Sequence, residues 1–228
     1  MSADTQAERV ESQPGERQAS SASGKRLRAQ GQRTRELIVQ EAKKLLLEGG
    51  SLNFALRTVA RRANISISNL QYYFPTRASL LRAIVEPIVE RYQKKIGSGA
   101  GDATAAREAL LAVVDQDLVD VRDPEVSAIW LHFASLAMTD SESARVLDMA
   151  HVTLTRDFAR LIRTINPSMG TKDSQVLARI ITAMVDGLVF QIGAGHRLHR
   201  SASGIDARVR EIVAWLIKEY PRLHSGTR

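Results

Sequence analysis

Cysteine is absent from this 228-residue chain, which excludes a disulfide framework, thiolate metal sites and cysteine nucleophiles together. Aromatic residues make up only 5%, so any core must be built from Leu, Ile, Val and Ala rather than from stacked rings. The chain opens without an apolar h-region, and no stretch reads as long enough to cross a bilayer; the expectation is a soluble, cytoplasmic protein without a membrane partner. Catalytic signatures are equally scarce. Glu-x-x-His pairs, which a two-metal helical bundle needs, are missing, as are phosphate-cradling Gly-rich loops and a G-x-S-x-G turn. Among five histidines only His196 and His199 lie close together, in GHRLH, and that is not a zinc-protease spacing. The expectation is no enzyme, no metal and no cofactor.

What is present is charge of one sign in one place. Residues 1–24 carry a net charge of −2 and residues 96–228 a net of −1. Residues 25–95 hold fifteen Lys or Arg against five Glu, a net of +10 in about a third of the chain. A solubilising basic face would explain the overall +7 but not its segregation. Contact with nucleic-acid phosphate explains both.

Residues 1–24 are rich in Ser, Ala, Gln and Glu with almost no bulky apolar side chain, and read as a disordered tail. The basic run KRLRAQGQRTR follows, so residues 1–30 are expected to be a basic-ended tail. Its Lys25, Arg26, Arg28, Arg33 and Arg35 suit either a minor-groove arm or a solvated linker.

Helical periodicity then takes over. Leu37, Ile38, Ala42, Leu45 and Leu46 form a stripe over Arg33 to Glu48, stopped by Gly49-Gly50. Leu56, Val59, Ala60 and Ala63 repeat it briefly, and a third short helix runs from Ser66 to Phe74, ended by Pro75. Thr76 caps a fourth helix in which Pro87 should produce a kink. After the break at residues 97–101, helices are expected over Ala103–Val121, Pro124–Met138, Ser143–Ile165, Ser174–Ile192 and Ile205–Tyr220, with no strand. The fold class is all-α: a tail, a three-helix domain over residues 31–77, and a larger helical bundle over 78–228 joined by a helix over 78–97. The acidic run Asp115, Asp117, Asp120 and Asp123 reads as a solvated helix face.

Two short helices joined by Asn64-Ile65 fit a helix-turn-helix. Asn64 tolerates the left-handed region, and Ser66 sits where an N-cap belongs. Leu70 and Phe74, four apart, should face the first helix, leaving Ile67, Ser68, Gln71, Tyr72 and Tyr73 outward. Gln71 can contact adenine in a bidentate way, Ile67 can touch a thymine methyl, and Ser and Tyr hydroxyls hold phosphate and set register.

The stretch ISISNLQYYFPTRASLL resembles the recognition helix and following turn of the tetracycline-repressor (TetR) family, and RTRELIVQEAKKLLLEGG resembles that family's first helix. The resemblance covers Arg33 to Val89, with a weaker echo in AMVDGLVF, Ala183 to Phe190. It implies a regulator that binds a palindromic operator on double-stranded DNA as a homodimer, most often a repressor, and is released by a small-molecule effector. By the same resemblance DNA contacts fall on Ser66, Ile67, Ser68, Asn69, Gln71, Tyr72, Tyr73 and Arg77. Three departures stand out: Ala55 where the family places a capping Ser or Thr, Ile67 where Lys is frequent, and Asn64 for Gly. Ala55 has no hydroxyl to offer a phosphate, so that role would pass to Asn53 or Arg57.

The resemblance also implies pairing through the last two helices. Ala183 and Gly187 would permit close approach, and Ile205, Val209, Ile212, Val213 and Leu216 would supply the seam. A monomeric helical core would show the same stripes. An effector pocket among the middle helices would be lined by Trp130, Phe133, Met138, Met149, Phe158 and Phe190, with His132 as a polar contact; plain core packing is the competing reading of each. A ligand-independent architectural DNA-binding protein, or an activator of the same fold, is the alternative function.

Overall fold

The computed structural model describes residues 14–50, 54–99, 101–193 and 204–225, and all regular structure among them is helical. The first helix, α1 (Pro14–Gly49), begins well before the expected Arg33. Residues 14–30 are therefore helical and not a disordered tail, while residues 1–13 lie outside the described part. The physical reason is propagation. Eleven of the seventeen residues 14–30 are the good helix formers Ala, Arg, Gln, Glu, Lys and Leu, and extending an existing helix gains a hydrogen bond per residue without a new nucleus. Pro14 stands at the first position, where its missing N–H costs nothing.

Helices α2 (Leu56–Arg62) and α3 (Ile67–Tyr73) fold back on the middle of α1. Ile38, Ala42 and Leu46 of α1, Val59 and Ala60 of α2, and Leu70 and Phe74 are all within 3% of full burial, so a small but complete core holds this head. Asn64 takes φ +52°, as the turn requires. Arg62 closes the head from outside, meeting both Glu48 oxygens at 2.7 and 2.9 Å.

Helix α4 (Arg77–Gly97) leaves the head and enters the body. A reciprocal cap starts it: the Ser79 amide donates to the Thr76 hydroxyl at 3.1 Å and the Thr76 amide to the Ser79 hydroxyl at 3.2 Å. Pro87 stands on its exposed side, and the helix runs on through it. Beyond α4, buried Gly99 lets the chain pass close to Ala109 and Leu161; a Cβ there would stand 2.7 Å from both side chains.

The body comprises α5 (Ala103–Arg122), α6 (Pro124–Ala137), α7 (Ser141–Ile165), α8 (Thr171–Gly187), α9 (Val189–Ile192) and α10 (Ile205–Ser225). Asp102, Asp123 and Asp140 cap α5, α6 and α7 in turn, each accepting backbone N–H bonds. Central α7 packs against α4, α5, α6 and α8 and contributes Phe158, Leu161 and Ile162 to the core. Along Thr171–Ile192 the mean hydropathy reaches 1.4 over a span of membrane-crossing length, contrary to the expectation that no stretch would. The apolar residues of α8 divide between two sides. Leu177, Ala178, Ile181 and Val185 are buried, whereas Val176 and Ile180 stay exposed. Helix α10 is split likewise: Val209, Val213, Ile217 and Tyr220 face inward, Ile212 and Trp215 outward.

Candidate nucleic-acid interface and internal cavity

Seating α3 on Leu70 and Phe74 decides what the helix shows. Ser66, Ser68, Asn69, Gln71 and Tyr72 are exposed, Tyr72 at 80%. The Ser66 hydroxyl accepts the Asn69 amide at 3.1 Å, so this serine works as the N-cap and keeps its donor free. Two expected outward residues are placed differently. Ile67 is half-buried against the head core, because positions 67, 70 and 74 share one helical face. Tyr73 is also half-buried; it meets Tyr72 edge-on at 5.1 Å, and its hydroxyl lies 3.6 Å from where a Cβ on Gly31 would stand. The close-packed Gly31 thus belongs to the extended part of α1.

Arg57 and Arg61 of α2 are exposed, whereas Ala55 makes no side-chain cap, as its residue type requires. Asn53 lies outside the described residues. Arg77, expected to face phosphate, instead forms an ion pair with Asp140 at 2.6 Å, tying the start of α4 to the cap of α7. Hydrogen bonds from Ser143, its hydroxyl at 2.5 Å and its amide at 2.7 Å, hold the Asp140 carboxyl below the usual range, and Arg77 adds to this.

The body holds a cavity of about 250 Å³ between α4, α5, α6, α7, α8 and α9, partly open to solvent where Leu131, Asp186 and Phe190 are exposed. Of the residues expected to line a pocket, Trp130 and Phe190 do so. Phe133 and Phe158 do not: both are fully buried in the core, Phe133 behind Trp130 with ring centroids 6.4 Å apart. Met138, 85% exposed, and Met149, 52% exposed, stand on the surface. His132 points the other way, its ring 3.3 Å from where a Cβ on Gly50 would stand, and so packs body against head. Because α6 is a single helix between two partners, alternate faces serve the cavity and the head. His196 and His199 lie outside the described residues.

The residues that the sequence reading missed are acidic. Asp117 and Asp120 are 9% and 5% exposed and line the cavity, so the run 115–123 is no solvated face. Asp115 pairs with Arg210 of α10, and Asp123 caps α6. Asp120 accepts from the Tyr92 hydroxyl at 2.8 Å, from Gln116 at 2.8 Å and from Arg91 at 3.1 Å. Burial, then Asp117 and Asp120, hold the Tyr92 hydroxyl far above the ordinary phenol range. Asp186 of α8 also lines the cavity, and crowding by the surrounding protein raises its carboxyl although part of its surface stays open. A signal did exist: Asp117 and Asp120 follow Val113 at helical spacings of four and seven, on the apolar side of α5.

A family profile for bacterial regulatory proteins of the tetR family matches residues 38–84, and one for the C-terminal part of BetI-type transcriptional repressors matches residues 106–218. The HTH-type transcriptional regulator BetI of Agrobacterium fabrum is 25% identical over 191 residues, covering 82% of this chain and 89% of that protein. Among solved structures, GusR of Salmonella enterica superposes with a TM-score of 0.62 at 19% identity, over 81% of this chain and 95% of its own. A transcriptional regulator of Saccharomonospora viridis solved with choline gives 0.59 at 20% identity, over 82% and 96%. With the head matched by one profile and the body by the other, the chain belongs to the tetR family of transcriptional regulators, its C-terminal part being of the BetI type.

Proposed function

We propose that this regulator is a repressor that reads a palindromic operator as a homodimer and lets go when a small molecule occupies the cavity in its body. The observation that carries the reading is the double use of α6. Ser127, Trp130, Leu131 and Ala134 face the cavity, while Glu125 pairs with Lys43 of α1 and His132 packs at Gly50. An occupant that shifts α6 must therefore also strain its contacts with the head. The Arg77–Asp140 pair gives a second joint between the two units. A population shift between two head spacings would follow from any ligand that binds one of them better.

Base reading falls to Gln71, with Ser68 and Asn69 beside it; Ser66, Tyr72 and Arg57 suit phosphate. Ile67 and Tyr73 set the tilt of α3 and make at most edge contacts. Pairing is supported by the outward stripe Val176, Ile180, Ala183 and Gly187 on α8, beside Ile212 and Trp215 on α10. One seven-residue helix reads too few base pairs alone, whereas a two-fold pair places two of them about one DNA turn, roughly 34–36 Å, apart.

Selection of bound duplexes from a random pool tests this. A two-fold symmetric consensus is expected, with half-sites centred about ten base pairs apart or a multiple of that. A consensus without symmetry, or none, would overturn the operator reading.

A further inference from the structure

Most of the first half of α1 carries charge of one sign. From Arg17 to Arg35 the sequence has six Lys or Arg and no acidic residue, and all of these positions lie in α1. Arg26, Arg28 and Arg33 are exposed and form no ion pair among the described residues. Arg35, by contrast, is held by the head: its guanidinium lies 5.3 Å over the Phe74 ring and 4.0 Å from Glu86. A surface helix that serves only solubility gains from opposite charges three or four residues apart, whereas Lys25 and Arg28 at that spacing repel. A polyanion laid against such a helix removes the repulsion.

Gly31 fixes which side of this helix meets α3. The Tyr73 hydroxyl lies 3.6 Å from where a Cβ on Gly31 would stand, so a longer side chain at position 31 would push the two helices apart. Arg28 precedes Gly31 by three residues and Arg35 by seven, and so shares their face, the one turned to α3. Arg26 and Arg33, seven apart, share the opposite face, roughly 200° round the helix from Gly31. The residues of α1 that precede Gly31 add about 25 Å of helix. Arg26, Arg28, Ala29 and Gln30 are all exposed, so this part of the helix stands clear of the head core.

We propose that Arg28 is a further DNA contact, binding backbone phosphate on the flank of the half-site, beyond the phosphates that Tyr72 suits. This rests on the reading of α3 as the helix in the major groove. A helix about 10–12 Å across cannot enter a minor groove roughly 6 Å wide, so the basic stretch does not work as a groove-inserted arm. Its contact is to phosphate, which adds affinity and register but no base preference. Helical side chains lean toward the N-terminus, so Arg28 reaches away from Gly31 and past the C-terminal end of α3. The duplex engaged is therefore longer than α3 alone covers.

Titrations of the full chain against two duplexes test the assignment. One carries the selected half-sites with about one helical turn of flank on each side, and the other is trimmed of both flanks. Arg28→Ala keeps a good helix former at an exposed position. It should weaken the flanked duplex by about three- to tenfold and flatten its salt dependence by about one unit. On the trimmed duplex the same variant should bind as the unsubstituted chain does. Arg28→Lys should recover most of the loss, because phosphate accepts a point charge. Arg26→Ala, on the opposite face, should change affinity by less than about twofold. No loss for Arg28→Ala on the flanked duplex would overturn the proposal. An equal loss for Arg26→Ala would overturn it too, since α1 would then act as diffuse charge only. If Arg28→Ala costs affinity while Gln71→Ala leaves base preference unchanged, this inference stands and the base reading fails. If Gln71→Ala relaxes base preference and Arg28→Ala changes nothing, the base reading stands and this inference fails.

Discussion

The head and the body use their charged residues in opposite ways. In the head the excess is basic and exposed: Arg57 and Arg61 of α2 stand in solvent, and Arg62 is satisfied at the rim by Glu41 and Glu48. In the body the carboxylates of Asp117 and Asp120 go inside, into a cavity with an apolar wall. Exposed cations attract phosphate over a distance and with little selectivity. Enclosed carboxylates attract little from afar, but they discriminate sharply among what enters. On the proposed function, affinity for a polyanion falls to one unit and choice of a small partner to the other, with α4 and α6 joining them.

Substitutions probe the two units separately. The largest effect is expected from Trp215→Asp on the outward face of α10. If the body pairs there, sedimentation will show monomers and operator affinity will fall by about a hundredfold or more, because the second half-site is no longer tethered. A dimer surviving this change would move the pairing face elsewhere. Next comes the division of labour on the head. Gln71→Ala should relax preference at one base position by about 1–3 kcal/mol, while Arg57→Ala should weaken all duplexes alike and flatten the salt dependence by about one unit. Identical behaviour of the two in binding titrations would erase the distinction between reader and anchor.

Smaller effects separate the units further. Burial raises the Asp117 carboxyl, so the folded chain holds this proton more tightly than the unfolded chain does. The stability it contributes is complete below the ordinary carboxylate range and is lost as pH rises through about 7. The empty protein should therefore melt lower at about pH 8 than at about pH 5.5, and Asp117→Asn should flatten that slope and raise the melting temperature at the higher pH by a few degrees, roughly. A steeper slope in the variant would contradict the burial account. Smallest is Asp140→Asn. Releasing Arg77 from its 2.6 Å partner should tighten DNA binding several-fold at low salt, measured by anisotropy; weaker binding would show that the pair positions the head instead of competing with phosphate.

The head was legible in the sequence because its signals are local. Asn64 with its left-handed φ, Ser66 as N-cap, Thr76 as cap of the next helix and the pair Leu70 and Phe74 each follow from neighbours within four residues. Ile67 went astray because a seven-residue helix has few positions, and a heptad spacing to Phe74 outweighed the motif's habit of showing that side chain. The helices of the body were legible to within a few residues, since caps and prolines bound them. Its cavity was not. Which face of α6 meets α1 and which meets α7 depends on contacts between helices far apart in sequence, and so Phe133, Phe158 and His132 were assigned to a wall they do not form. The start of α1 was missed because polar composition speaks against burial, whereas an exposed helix needs only propensity and a neighbour to extend.

On the proposed function, α3, presented twice by a paired body, selects a DNA sequence. The most direct test is a titration of the full chain against the selected duplex and a scrambled one at physiological salt. Two chains per duplex and a preference of about a thousandfold or more for the selected sequence are expected. Equal affinity for both duplexes, or one chain bound per site, would contradict that reading.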